Sequence, residues 1–424
     1  MKMNQSPKAT NEKAIVVGVG LKTEDLVEIK ESLSELEELV YSAGGEVVAS
    51  LTQLLEKYTP STLLGKGKVQ EVKKLIEETG ATLVIVDHQI SGVQAKNLSQ
   101  EWKDVRILDR SQLILDIFAQ RAQTYEGKLQ VELAQMMDQL PRMVGGWLGS
   151  LSRQGGGIGT RGPGETALEL DRRRIRDRVQ AIKKKLDEVK KHRKQHRSQR
   201  QKFNVPSFAL IGYTNAGKST ILNALTQSDV VAKDQVFATL DPTTRKLHLN
   251  EVGEAIITDT VGFIRKLPPN LIEAFKATLE ESGEADILLH VIDLSNPQMQ
   301  THIDVVDNII QELQWDKKPI IYVFNKLDQA PVERQFQIKQ TPRVFISAQK
   351  GENLHQLKKI MADQVQSLKQ EYDLFFPKAD EYKLFDLKRE AQVLNAEQGR
   401  SGTVCKALLT EAQVSKWGEF LDKH

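Results

Sequence analysis

The octapeptide Gly212-Tyr-Thr-Asn-Ala-Gly-Lys-Ser219 constrains this chain more than any other stretch. It spaces two glycines, a lysine and a hydroxyl as a phosphate-binding loop requires. It also lies between an apolar run, Phe208–Ile211, and a segment with helical spacing, Lys218–Thr226. The glycines let the backbone turn so that successive N–H groups face phosphate oxygens, and the helix start adds its positive end. Lys218 is placed to reach the β and γ phosphates, and the Ser219 hydroxyl to ligate Mg²⁺. Gly212, Tyr213, Thr214, Asn215, Ala216, Gly217 and Thr220 complete the expected cradle. Such a loop needs a strand before it and a helix after it, so a doubly wound α/β domain is expected around it.

Three further motifs follow in order. Asp259-Thr260-Val261-Gly262 closes the apolar run Ala255–Thr258. A carboxylate there can hold Mg²⁺ through water, and the Gly262 N–H can sense the γ phosphate. Asn325-Lys326-Leu327-Asp328 follows Ile320–Phe324. The Asp328 carboxylate can accept from both N–H groups on the Watson–Crick edge of guanine, whereas adenine would leave it unpaired. Ser347-Ala348, after Arg343–Ile346, offers a backbone N–H for the guanine O6. Together the four motifs imply a GTPase that takes GTP as substrate, with Lys218, Thr239 and Gly262 as catalytic candidates. Thr239, in Phe237-Ala-Thr-Leu-Asp-Pro-Thr-Thr244, is the candidate threonine that closes over Mg²⁺, which makes Ser219, Thr239 and Asp259 the metal set; Thr243 and Thr244 are its rivals. Phe263 stands where Ras-type enzymes carry a water-orienting glutamine, so slow intrinsic hydrolysis is expected. The Asn215 amide beside the β and γ phosphates also suits a monovalent cation such as K⁺.

The 424 residues suggest about three domains. Residues 1–110 read as an N-terminal α/β domain: Ala14–Val19, Glu46–Leu51, Thr82–Asp87 and Val105–Asp109 are strand-like, with helical spacing over Glu24–Tyr41 and Lys68–Glu78. Residues 111–203 read as a helical-hairpin arm with a coiled-coil seam. Leu129, Leu133, Met136, Leu140 and Met143 form one line, and Leu168, Ile175, Val179, Ile182, Leu186 and Val189 the other. Pro141 should end or kink the first helix. Between the helices, residues 145–164 hold nine glycines in twenty positions. Residues 204–370 form the nucleotide-binding domain. Residues 371–424 form a small C-terminal α+β domain, with a helix expected over Tyr382–Glu397 and a strand over Thr403–Leu409.

Charge is concentrated in one place. Arg172–Lys202 carries fifteen Lys/Arg against three acids, +12 locally in a chain whose net charge is +2, so the remainder sums to −10. A focused basic segment points to a polyanion at that segment. Arg173, Arg176 and Lys183 are candidates for RNA phosphates, and Arg142, Arg153 and Arg161, among the loop glycines, for closer RNA contact. A single cysteine, Cys405, excludes a secreted disulfide scaffold, and no apolar run reaches the length of a membrane span. A cytoplasmic location is expected.

Beyond the nucleotide motifs, three stretches are specific: Arg153-Gln-Gly-Gly-Gly-Ile-Gly-Thr-Arg-Gly-Pro-Gly-Glu-Thr166, Leu64-Gly-Lys-Gly-Lys68 and Phe237-Ala-Thr-Leu-Asp-Pro242. On these the chain resembles the HflX family of GTPases, near the Obg and Era groups, over residues 14–370. The resemblance implies binding to the large ribosomal subunit through its rRNA, with dissociation or rescue of stalled ribosomes in the GTP-bound state. It also implies ATP as a second ligand of the N-terminal region in some members, a monomer, and peripheral membrane association as a further location. Two other classes stand beside this reading: an RNA-remodelling ATP/GTPase and a GTP-gated protein adaptor. ATP turnover surviving Asp328→Ala and Lys218→Ala would favour the first, and an RNase-resistant complex the second.

Overall fold

β1 (Lys13–Leu21) is apolar on both faces and buried along nearly its whole length, as expected of a central parallel strand. The computed structural model describes residues 12–142, 167–202, 205–226, 237, 242–266 and 282–421; within α6 (Ala167–Lys202) the side chains described are those of 169–191. The chain divides into two compact units. Of the described residues, the first contains 12–142, 167–188, 237 and 264–266, and the second contains the rest.

In the first unit, β1 is flanked by β2 (Glu46–Leu55) and β3 (Leu83–Val86), with β4 (Arg106–Asp109) outside β3, all parallel in the order β2-β1-β3-β4. The register sets Ala14 opposite Leu83 and Leu83 opposite Arg106. α1 (Leu26–Ser42) starts where the Asp25 carboxylate accepts from the Val27 N–H, and buries Ile29, Leu33, Leu36 and Val40 at helical spacing. α2 (Lys66–Thr79) and α3 (Gly92–Glu101) pack with Trp102 over one face, where Val69, Val72, Ala95 and Leu98 join Val17, Val84 and Val86. The sequence reading has no α3. Its polar composition hides it, and a reciprocal capping box between Ser91 and Gln94 sets its start.

α4 (Arg110–Arg121) is capped in the same way by Asp109 with Gln112. Its first residue, Arg110, is buried and donates to Asp87, Glu35 and the Ser32 carbonyl. Burial alone would lower its pKa, but Glu35 and Asp87 outweigh that and hold it above the ordinary value. Asp87 also receives Lys266 at 3.1 Å, Arg265 donates to Glu31 at 3.0 Å, and the edge of the Phe237 ring meets Phe118 at 4.6 Å. α5 (Tyr125–Arg142) keeps Pro141 in its last turn. It buries Gln130, Val131, Ala134 and Asp138 as well as the expected Leu129 and Leu133, so it is sheltered on more than a single seam.

α6 has 36 residues, about 54 Å at ~1.5 Å per residue. Of its expected line, Ile182 is buried and Ile175, Val179, Leu186 and Val189 are partly so; the Leu168 side chain lies outside those described. Arg178 forks onto Glu132 of α5. The glycine-dense residues 145–164 lie outside the described residues.

The second unit holds a six-stranded sheet in the order β10-β9-β8-β5-β7-β6: β5 (Ser207–Gly212), β6 (Thr243–Leu249), β7 (Gly253–Asp259), β8 (Ile287–Asp293), β9 (Ile320–Asn325) and β10 (Arg343–Phe345). All neighbours are parallel except β6, which runs antiparallel to β7. α7 (Lys218–Thr226) and α9 (Leu354–Ser367) cover one face, burying Ile221, Leu222, Leu357 and Met361 against Leu210, Ile257 and Val323. α8 (Met299–Glu312) covers the other, where Val306 and Ile310 meet Ala209, Ile211 and Leu288.

A separate antiparallel sheet follows: β11 (Gln370–Pro377), β12 (Gln392–Gln398) and β13 (Gly402–Leu409), ordered β11-β13-β12, with α10 (Lys383–Glu390) and α11 (Glu411–Trp417). Leu374, Phe376, Leu387, Cys405, Ala407 and Trp417 form its core. The helix expected over Tyr382–Glu397 therefore stops at Glu390. From Gln392 the chain pairs with β13 through the turn at Gly399, whose N–H donates to the Gly402 carbonyl. Helix-compatible residues such as Gln392, Ala396 and Glu397 are overridden by that ladder.

Candidate functional site

Every described motif of the nucleotide reading lies at the C-terminal edge of the six-stranded sheet, where ligands of open α/β folds bind. β5 ends in Gly212, whose φ is +146°; a Cβ there would stand 2.2 Å from the Val291 carbonyl oxygen. Gly217, at φ +93°, would press a Cβ to 2.2 Å from Nδ2 of Asn325. Only glycine satisfies both the dihedral angle and the space. Between them Thr214 and Ala216 are buried and Asn215 is exposed in the left-handed region, at φ 58°.

Lys218 opens α7 almost wholly buried, and its ammonium donates to the Tyr213 carbonyl at 2.8 Å and the Gly212 carbonyl at 3.2 Å. Burial pushes its pKa down to about 8, against the pull of the Asp259 carboxylate. His290 on β8 is also buried, and burial together with the Lys218 charge drives its pKa down to about 3, so it stays neutral. With the folded pKa of Lys218 below its ordinary 10.5, the unfolded chain binds more protons between pH 8 and 10.5. The buried charge therefore costs stability below pH 8, and that cost is released as pH rises through this window. A polyphosphate needs the charged form. Nucleotide affinity should thus fall as pH rises from 7 to 9, and binding at pH 9 should take up a proton. Calorimetry in buffers of different ionisation heat measures both; constant affinity with no proton uptake would contradict the buried-lysine account.

The Ser219 hydroxyl donates to Oδ2 of Asp259 at 2.6 Å, and Asp259 is fully buried at the end of β7. A hydroxyl and a carboxylate at that separation are hard oxygen donors of the kind Mg²⁺ takes. Thr239 lies outside the described residues. Its rivals Thr243 and Thr244 are ladder residues of β6, opposite Asp259 and Thr258, and the Thr244 hydroxyl bonds that of Thr258 at 3.0 Å.

The Thr260 hydroxyl donates to the Leu210 carbonyl, Val261 is buried, and the Gly262 segment is zipped to the phosphate loop: the Thr214 N–H donates to Phe263 O at 2.8 Å and the Phe263 N–H to Gly212 O at 3.0 Å. A Cβ on Gly262 would come within 2.9 Å of both Nζ of Lys218 and Cα of Thr214. The Phe263 ring turns into the core with Ile211, Leu288 and Val306. It fills space under the sheet edge, and its side chain has no part in orienting water.

At the base pocket Asn325 works as a staple. Its Nδ2 donates to Ala216 O at 2.9 Å, and its Oδ1 accepts from the Ala348 N–H at 3.0 Å, joining the phosphate loop to the Ser347-Ala348 turn. Lys326, in the left-handed region, pairs with Asp293 at 2.9 Å. Sequence reasoning missed this role for Asp293, whose signal was an acid at the end of an apolar strand. Asp328, in the short 3-10 helix Leu327–Gln329, is held below the usual carboxylate range by a hydrogen bond from the Ser347 hydroxyl and by Lys350, 3.7 Å away.

The basic candidates divide. Arg173, Arg176 and Lys183 have exposed side chains on α6. Arg153 and Arg161 lie outside the described residues. For Arg142 the expectation of a free RNA-facing fork has to be corrected: the guanidinium pairs with Asp109 at 2.7 Å and Asp138 at 2.8 Å, with 14% of the side chain exposed. Asp109, fully buried and already capping α4, needs that partner.

Comparison with known proteins agrees with this geometry. Residues 30–119 match a family model described as the GTP-binding GTPase N-terminal region, 121–200 its middle region, and 207–326 a model described as 50S ribosome-binding GTPase. The GTPase HflX of Caldanaerobacter subterraneus is 46% identical over 401 residues, 94% of this chain and 91% of that protein. The chain belongs to the HflX family of GTPases. The HflX protein of Escherichia coli strain K12 is 45% identical over 352 residues, 82% of each chain. A GTP-binding protein of Sulfolobus solfataricus solved with GDP is 24% identical, with a TM-score of 0.46, covering 84% of this chain and 99% of that one. As an HflX-family enzyme, the chain binds GTP and hydrolyses it to GDP and phosphate. Among the described residues, no helix is long and apolar enough to cross a membrane.

Proposed function

We propose that this HflX-family GTPase binds the large ribosomal subunit through rRNA and, in its GTP-bound state, dissociates or rescues stalled ribosomes. GTP is held by the phosphate loop; Ser219, Asp259 and Thr239 would hold Mg²⁺, which would supply positive charge to neutralise the β and γ phosphates, and Asn215 is the residue offered to K⁺. Lys218 holds the same oxygens, and Gly262, bridged to the loop through Phe263, reports whether the γ phosphate is present. The energy for work on a ribosome is the difference in affinity between the two nucleotide states.

The observation that carries the RNA reading is α6: +12 over Arg172–Lys202, with Arg173, Arg176 and Lys183 exposed. A solvated helix has no need of such one-sided charge, whereas an rRNA backbone rewards each contact through counterion release. The family description of the match over 207–326, a 50S ribosome-binding GTPase, supports the same partner. Reversing the three charges (Arg173→Glu, Arg176→Glu, Lys183→Glu) tests it. Affinity for large subunits should fall by roughly two orders of magnitude, with a shallower salt dependence by about 2–3 in log–log slope. GTP turnover without ribosomes should stay within about twofold. Unchanged affinity and slope would remove α6 from the binding surface.

A further inference from the structure

The phosphate loop carries an aromatic ring that none of the chemistry above uses. Tyr213, the second residue of the loop, is 6% exposed. Its ring lies flat on the imidazole of His302, with centroids 3.7 Å apart and planes 5° from parallel. His302 sits in the first turn of α8, its N–H bonded to the Gln298 carbonyl. A rigid helix therefore presents a planar surface to the loop.

We propose that His302 is a positioning residue for GTP hydrolysis, acting through Tyr213 on Lys218 and on the Gly262 segment. Lys218 and Phe263 both converge on the Tyr213 backbone. Its carbonyl receives the Lys218 ammonium at 2.8 Å, and the residue forms a parallel bridge with Phe263. On either side of it, Gly212 O and the Thr214 N–H bond the two ends of the Phe263 peptide unit. A ring laid flat on another resists tilting, which an aliphatic contact of equal area does not. With the His302 ring in place, the Tyr213 peptide cannot roll. The lysine keeps its height over the loop, and Gly262, where an added Cβ would stand 2.9 Å from Cα of Thr214, keeps its distance from the γ-phosphate position. Catalytic groups must be held to about 0.5 Å, so a loosened Tyr213 costs rate.

Of the groups reached through Tyr213, Lys218 faces both the β and γ positions and the Gly262 segment only the γ position, whereas Asp328, Asn325 and the Gly217 turn are tied together by other bonds. Losing the stack should therefore act on the GTP state more than on the GDP state, a split that a merely structural ring would not produce.

The test compares His302→Leu, which keeps bulk without a flat face, with His302→Phe, which keeps the face, in the full-length chain. Binding of GDP and of a non-hydrolysable GTP analogue, single-turnover hydrolysis and thermal unfolding are measured on each. His302→Leu should slow hydrolysis at least tenfold and lower the GTP-analogue-to-GDP affinity ratio at least fivefold. His302→Phe should stay within threefold of the parent in both. Should His302→Leu fail to fold, Tyr213→Leu and the double variant Tyr213→Leu/His302→Phe take its place, and the double should be no slower than the single. Parent-like hydrolysis without the stack, equal losses for GDP and the GTP analogue, or a folded His302→Phe protein as slow as His302→Leu would each overturn the proposal.

Discussion

Replacing Lys218 with alanine should slow single-turnover GTP hydrolysis by about 10³-fold while leaving the nucleotide-free protein at least as stable. The two halves of this expectation have one cause. The ammonium is almost wholly buried and held by two carbonyls, and the protein depresses its pKa to about 8 because taking the charge out of water is unfavourable. That cost is repaid when phosphate oxygens arrive, most fully as charge develops on them in the transition state. Removing the side chain forfeits the gain and relieves the cost. The thermal unfolding midpoint of the nucleotide-free variant should therefore equal or exceed that of the parent, whereas stabilisation by added GTP should shrink. A variant that hydrolyses GTP within tenfold of the parent, or that melts many degrees lower without nucleotide, would show that Lys218 serves the fold and not the phosphates.

Asp328→Asn should remove most of the affinity for GTP, about 10²- to 10⁴-fold: one hydrogen bond to a charged acceptor, worth ~1.5–3 kcal/mol, is lost, its donor is left facing a donor, and the other bond passes to a neutral acceptor. The carboxylate is kept ionised by the Ser347 hydroxyl and Lys350, so both of its oxygens are available as acceptors. Asparagine offers one acceptor and one donor, and the donor faces a donor on guanine. A xanthine nucleotide, with a carbonyl where guanine has its exocyclic amine, matches the variant better. Competition between GTP and xanthosine triphosphate should shift towards the latter by a similar factor. Because asparagine keeps the shape of the side chain and an acceptor for the Ser347 hydroxyl, the unfolding temperature should move little. Undiminished GTP preference would mean that the base is read elsewhere.

The parts of this site legible in the sequence are those whose chemistry is contiguous. The turn at Gly212–Gly217, the acid closing β7 and the Asn325–Asp328 stretch each state a local requirement that a short segment meets alone. The buried strands β1, β5, β8 and β9 were readable for the same reason, as apolar runs bounded by polar turns. What stayed hidden depends on partners distant in the chain. Arg142 looked exposed because glycines follow it, yet Asp109, 33 positions earlier, claims its fork. Phe263 could be read as a missing glutamine, but its burial with Trp315 and Val306 could not. The edge strands β6 and β12 carry polar alternation that suits a loop or a helix equally well until the partner strand is known. His302 gave no signal, since nothing near it in sequence pairs with it.

Co-sedimentation with large ribosomal subunits through sucrose gradients tests the central claim most directly: nucleotide state sets how firmly the chain grips ribosomal RNA. The wild-type chain with a non-hydrolysable GTP analogue should travel with the subunit at physiological salt, and with GDP it should stay largely at the top of the gradient. Equal co-sedimentation with both nucleotides, or none with either, would contradict it.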